Sequence, residues 1–169
     1  MFIPSSVTHH FSEHTLLSLE LPSGWLLLKG SPGTALYGQR LSSDEPTSRG
    51  GEATSPRLAL KTFLLRTDDP HAFQRLSEQV LEVPGQSVER LSSEACEVDF
   101  QPGRTTWYAR TDAQGHHLLH MQTCFQVGRV VGSMTALGPF DQRETLQPLF
   151  EQVRASLRYI PRRRSSADV

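Results

Sequence analysis

The residues with the most chemical potential are histidines and one cysteine. His116-His117-Leu118-Leu119-His120, with Cys124 following, would set His116, His120 and Cys124 on one face of a strand. Imidazole nitrogen and thiolate are the donors that zinc takes. Residues four apart on a strand, however, are about 13 Å apart, whereas donors around one ion must converge to within about 4 Å. On a helix the same spacing would converge, but Gly115 and the β-rich residues after Met121 oppose a helix. The run is therefore expected as histidines on a partly exposed sheet face, and no metal is assigned. A small-ligand- or metal-binding protein, or an enzyme, built on His116 to His120 is the alternative. His9, His10 and His14 form a second cluster near an N-terminus (residues 1–10) that reads as flexible.

Cys96 and Cys124 form no Cys-x-x-Cys pair and are expected as free thiols. With a hairpin turn at Gln101-Pro102-Gly103-Arg104, Cys96 would face a position near Ala109. Cys124 would then lie on a non-adjacent strand, beyond the Cα separation of about 7 Å that a disulfide spans. Cys124 has no nucleophile motif around it, and His120 is poorly placed as its base. Ser31-Pro32-Gly33-Thr34 is too short for a phosphate-binding loop and lacks its lysine, and no Gly-x-Ser-x-Gly elbow occurs. Glu94, Glu97 and Asp99 alternate with Cys96, Val98 and Phe100, as on the wet face of a strand. No catalytic residue and no cofactor is assigned, and the chain is not expected to be an enzyme.

Trp107 and Tyr108 are strand neighbours and so face opposite sides of the sheet. Trp107 is expected in the core, on the face of Val98 and Phe100. Tyr108 and Arg110 share the other face, with His120 alongside. An aromatic ring, a cation and an imidazole on an uncovered face would bind a protein partner. Pro22-Ser23-Gly24-Trp25 reads as a corner after a leucine strand, with Trp25 closing the core there.

The elements around these residues read as α+β. Leu17, Leu19 and Leu21 alternate as in a strand, and Leu26 to Lys29 and Ala35 to Leu41 follow as two more. Ser42 to Pro56 has no large apolar residue and reads as a mobile loop (42–56). Arg57 to Thr67 is a long strand. Asp69-Pro70 opens a helix carrying Phe73, Leu76 and Val80, and Pro84-Gly85 stops it. From Cys96 an antiparallel meander follows. Asp141 and Glu144 resemble a capping box before a helix with a Leu146, Leu149, Phe150, Val153, Leu157 stripe, which Pro148 should kink or start later. A basic tail, residues 161–169, ends the chain.

The chain has 169 residues, enough for one domain over 11–160, with formal charge −1. That balance gives no field for nucleic acid or anionic lipid. No apolar run reaches the eighteen residues of a membrane span, and no signal peptide is read, so the cytoplasm is the expected compartment.

Three stretches resemble one family. FSEHTLLSLELPSGW resembles the strand and Leu-Pro-x-Gly-Trp entry of the PsbP-like α/β/α sandwich superfamily, and looks similar to bacterial DcrB-type proteins and Eag-type adaptors. RLALKTFLLRTDDPHAFQRLSEQVL resembles its following strand and first helix, and GRVVGSMTALGPFDQRETLQPLFEQVRASLR its last strand and helix. The resemblance implies a central antiparallel sheet flanked by helices. It also implies a non-catalytic binding, adaptor or chaperone-like role, for instance shielding effector helices in type VI secretion. A structural homo-oligomeric subunit is a further reading.

Overall fold

A computed structural model describes residues 7–39, 55–79 and 86–161. The 42–56 loop up to residue 54, the end of the first helix and the tail from residue 162 lie outside the described residues.

Two antiparallel sheets and two short helices make the fold. The small sheet has order β1-β2-β10, from β1 (Val7–Ser12), β2 (Leu17–Pro22) and β10 (Arg158–Tyr159). The large sheet has seven strands in order β3-β4-β5-β9-β8-β7-β6. These are β3 (Trp25–Ser31), β4 (Thr34–Gln39), β5 (Arg57–Leu64), β6 (Ser87–Val98), β7 (Gln101–Thr111), β8 (His117–Val127) and β9 (Val130–Pro139). Helix α1 (Ala72–Gln79) lies on one face, and α2 (Arg143–Ala155), entered through a 3-10 turn at Phe140–Gln142, lies on the other.

The molecule is more sheet-dominated than the helix-flanked sandwich expected. On the α2 face the small sheet shares the covering layer: Leu17, Leu19 and Leu21 join Leu58, Leu60, Met121, Met134 and Phe150 in one core. Trp25 and Trp107 belong to that core. Gly24, at φ +89°, turns the chain out of β2 and into β3, which belongs to the other sheet. A smaller core of Ala72, Phe73, Cys124 and Val131 lies under α1.

Three expectations are corrected. Residues 7–10 are strand: β1 pairs with β2 from Val7↔Pro22 to Ser12↔Leu17, and His10 meets Tyr37 edge-on with ring centroids 6.0 Å apart. The β6–β7 hairpin turns at Asp99-Phe100, so Cys96 faces Gly103, not Ala109. Phe100 accordingly sits at the tip, outside the core. Asp141 and Glu144 form no capping box, because the 3-10 turn precedes α2 and its N-cap, Gln142, makes no side-chain cap bond. Pro148 lies inside α2. The bond it forfeits is to the carbonyl of Glu144, on the exposed first turn where water can substitute.

Both edge strands of the large sheet carry a bulge, at Leu28 in β3 and at Leu91 in β6. Bulges twist an edge and oppose edge-to-edge pairing of whole sheets.

Candidate functional site

Tyr108, Arg110 and His120 come together. Tyr108 is the register partner of His120, and their rings stack at 4.9 Å and 24°. The Arg110 guanidinium lies 5.7 Å from the Tyr108 ring centre. This face is not open, however. Tyr108 is 1% and His120 5% exposed, and α1 lies against β7 and β8. Gln126 fastens that helix to the sheet: its amide nitrogen donates to the carbonyls of Asp69 (2.6 Å) and Gly128 (2.8 Å), and its Oε1 accepts from the Phe73 N–H (3.4 Å). Burial, with Arg110 adding its charge, pushes the His120 pKa down to about 4. Burial also raises the Tyr108 hydroxyl. His120 Nδ1, Gln122 Oε1 and Arg110 Nε are buried with no hydrogen-bond partner.

The histidine run does not converge. His117 opens β8, His116 precedes it in the turn, and His120 is buried on the face that carries α1. Among the described residues no group of three or more His, Cys, Asp or Glu is placed to hold a metal ion, and this covers His9, His10 and His14. Cys96 and Cys124 are both free. Cys124 faces α1, whereas Cys96 packs against the α2-side core, so they point to opposite faces. Burial, with Cys96 nearby, pushes the Cys124 thiol up to about 12.

A groove lies between α2 and the sheet face of β6 and β7. Ser92, Glu94 and Cys96 of β6, Thr105 and Trp107 of β7, and Gln147, Glu151 and Arg154 of α2 line its 210 Å³. Trp107 stacks on Phe150 of α2 at 6.5 Å and 20°, so its ring is fixed at the groove floor. Thr105 Oγ1 donates to the Cys96 sulfur at 3.3 Å. β6 ends the strand order, so its outer backbone groups have no strand partner among the described residues.

The same hairpin ends in an unusual tip. Asp99 (φ 51°) and Phe100 (φ 65°) both take the left-handed conformation of a type I′ turn, and Phe100 is 89% exposed. A bulky residue there costs about 1–2 kcal/mol. Phe100→Gly is therefore expected to raise stability by about 1 kcal/mol in urea titration. No change would mean that the tip is relaxed.

A further cluster sits where the β7–β8 turn meets the start of α2. Asp112 Oδ1 accepts the N–H groups of Gln114 and His116, both at 2.9 Å, and its Oδ2 meets His116 Nδ1 at 2.9 Å. The His116 N–H, first among these bonds, holds the Asp112 carboxyl below its usual range. His117 stacks on Phe140 at 4.1 Å, and the Arg143 guanidinium lies 4.8 Å from the Phe140 centroid. The sequence shows only a turn at Asp112 to Gly115, and nothing local links it to Phe140 or Arg143.

No family model matches the chain, and no curated protein matches it. Solved structures do resemble it. The solution structure of cyanobacterial PsbP (CyanoP) from Synechocystis is 13% identical, covering 92% of this chain and 93% of that one at TM-score 0.66. LpqN of Mycobacterium tuberculosis, described as involved in cell envelope biogenesis, is 16% identical over 92% of this chain and 90% of its own, at 0.64. A Pseudomonas aeruginosa protein without assigned function is 13% identical over 94% and 99%, at 0.56. At these identities the likeness concerns fold alone, and what it gives is that this chain has a PsbP-like fold.

Proposed function

We propose that this chain is a non-catalytic protein-binding module that takes an extended peptide along β6, beside α2. The observation carrying this reading is the free edge of β6 bordering a groove floored by Trp107. Strand addition draws affinity from main-chain hydrogen bonds, while alternate side chains enter the neighbouring groove. The bulge at Leu91 breaks the first half of the edge, but the register runs without a shift from Ser92 to Val98. Glu94 and Glu151 outnumber Arg154 on the groove walls, which favours a peptide with a basic side chain. Phe100, at the tip of the same hairpin, offers an apolar anchor.

Capture at Tyr108, Arg110 and His120 would require that buried face to be uncovered, whereas the edge of β6 has no strand partner among the described residues. An adaptor or chaperone role, including the Eag-type form in type VI secretion, is the specific version of this reading and rests on the sequence resemblance. Self-association through sheet edges is opposed by the bulges at Leu28 and Leu91.

Lysine-bearing octapeptides should protect β6 amides from hydrogen exchange and shift the Trp107 indole resonance. Glu94→Lys with Glu151→Lys should weaken binding by about tenfold or more. A maleimide adduct should form on Cys96, since Cys124 is buried with its thiol held protonated, and should block the peptide. Binding indifferent to both the charge reversal and the adduct overturns the proposal.

A further inference from the structure

We propose that the cavity between the β7–β8 turn and the start of α2 binds a small phenolic carboxylate, a flat ring with a hydroxyl at one end and a carboxylate at the other. The cavity measures 450 Å³, within the range of small-ligand sites. It lies apart from the peptide groove, which is walled by later residues of α2.

Three groups on its walls specify the ligand. Arg143 is exposed, and among the described residues it has no carboxylate partner. Its fork is free to take a carboxylate in two bonds. Phe140 packs against two flat groups, the His117 imidazole and the Arg143 guanidinium, so the wall they form is planar and suits a flat ring better than a bulky aliphatic one. The third group is His116. An ionised Asp112 only accepts hydrogen bonds, so the proton of the Asp112–His116 contact sits on Nδ1. In the neutral imidazole the remaining nitrogen, Nε2, is a lone-pair acceptor, which suits a phenolic O–H. Two backbone bonds to Asp112 and the paired bonds Asp112 N–H to His116 carbonyl and Gly115 N–H to Asp112 carbonyl, both 3.0 Å, hold this acceptor in place. Gly115 has no side chain to fill the opening, and Asp141 on the wall repels a dianion such as phosphate about twice as strongly as a monocarboxylate.

The test titrates the full chain with 4-hydroxybenzoate, benzoate, acetate and inorganic phosphate, reading the ring resonances of His116 and His117 by NMR. Saturable shifts are expected with 4-hydroxybenzoate, about tenfold weaker binding of benzoate, and none with acetate or phosphate. Arg143→Ala should weaken 4-hydroxybenzoate by about tenfold or more. His116→Phe should bring 4-hydroxybenzoate down to the level of benzoate and leave benzoate unchanged. The wild-type ligand series reads the same preferences without any variant. Equal binding of benzoate and 4-hydroxybenzoate, equal binding of acetate or phosphate, an unaffected Arg143→Ala, or no shift at about 10 mM overturns the proposal.

Discussion

Phe125→Ala is expected to destabilise the protein by about 4 kcal/mol, measured by urea unfolding at neutral pH. Phe125 is fully buried near the end of β8, in the core shared by α2 and the small sheet. Stability totals of about 5–15 kcal/mol make this a large fraction. Its packing depends on a missing side chain. Gly132 is one residue of the β8–β9 register, directly opposite Phe125, and a Cβ built there would fall 2.6 Å from the ring Cε1 and nearer still to Cζ. The ring therefore lies over bare backbone. Gly132→Ala alone should cost about 1–3 kcal/mol by overpacking. In the Phe125→Ala background the same change should be neutral or stabilising, because the methyl enters the space the ring vacated and a strand glycine is replaced. Additive costs in the double variant would show that the glycine serves some other purpose.

That pairing illustrates what the sequence discloses and what it withholds. A glycine within β9 reads as a mildly unfavourable residue in an otherwise good strand. Only the register identifies the ring it accommodates. Local periodicity does reveal the inner faces: the alternation of Leu17, Leu19 and Leu21 and the stripe of Leu146, Phe150, Val153 and Leu157 all end buried. It cannot say which sheet a strand joins, so the Pro22 to Gly24 corner looks like an ordinary reversal, although it passes the chain between two sheets. Edge strands are hidden for a related reason. Ser87 to Ala95 has one neighbour and much solvent exposure, so it lacks apolar alternation and the sequence reads the strand as beginning only at Cys96. Pro102-Gly103 draws the turn towards itself, whereas Asp99-Phe100 turns without the glycine that type I′ geometry prefers. Parity correctly groups Tyr108 with His120, but no local pattern tells which face a helix will cover. The β6 groove and the Phe140 cavity each join strand to helix residues distant in the chain, and nothing short-range couples them.

His120 makes the protein acid-sensitive. Its folded pKa of about 4 lies below the unfolded value near 6.5, so the unfolded chain binds more protons between those limits. Stability is therefore complete above about pH 6.5 and falls as pH drops through the window, by about 3 kcal/mol at pH 4. The physical cost is an imidazolium forced to form against the Tyr108 ring, beside Arg110 and away from water. Titratable neighbours on the same face do not cancel it: Tyr108 stays neutral, its hydroxyl raised by burial, and Arg110 repels the new charge. His120→Phe keeps an aromatic partner for Tyr108 and removes the titrating group together with the unpartnered Nδ1. Urea titrations at pH 7 and pH 4.5 should show a pH difference smaller by about 2–3 kcal/mol in this variant than in the parent. The helix should report the change first, because α1 packs on the same face of β7 and β8 as this pair. Amide exchange in α1 should thus accelerate towards pH 4.5, after correction for the intrinsic pH dependence of exchange, before the α2-side core loosens. An equal pH dependence in parent and variant would place the acid sensitivity elsewhere.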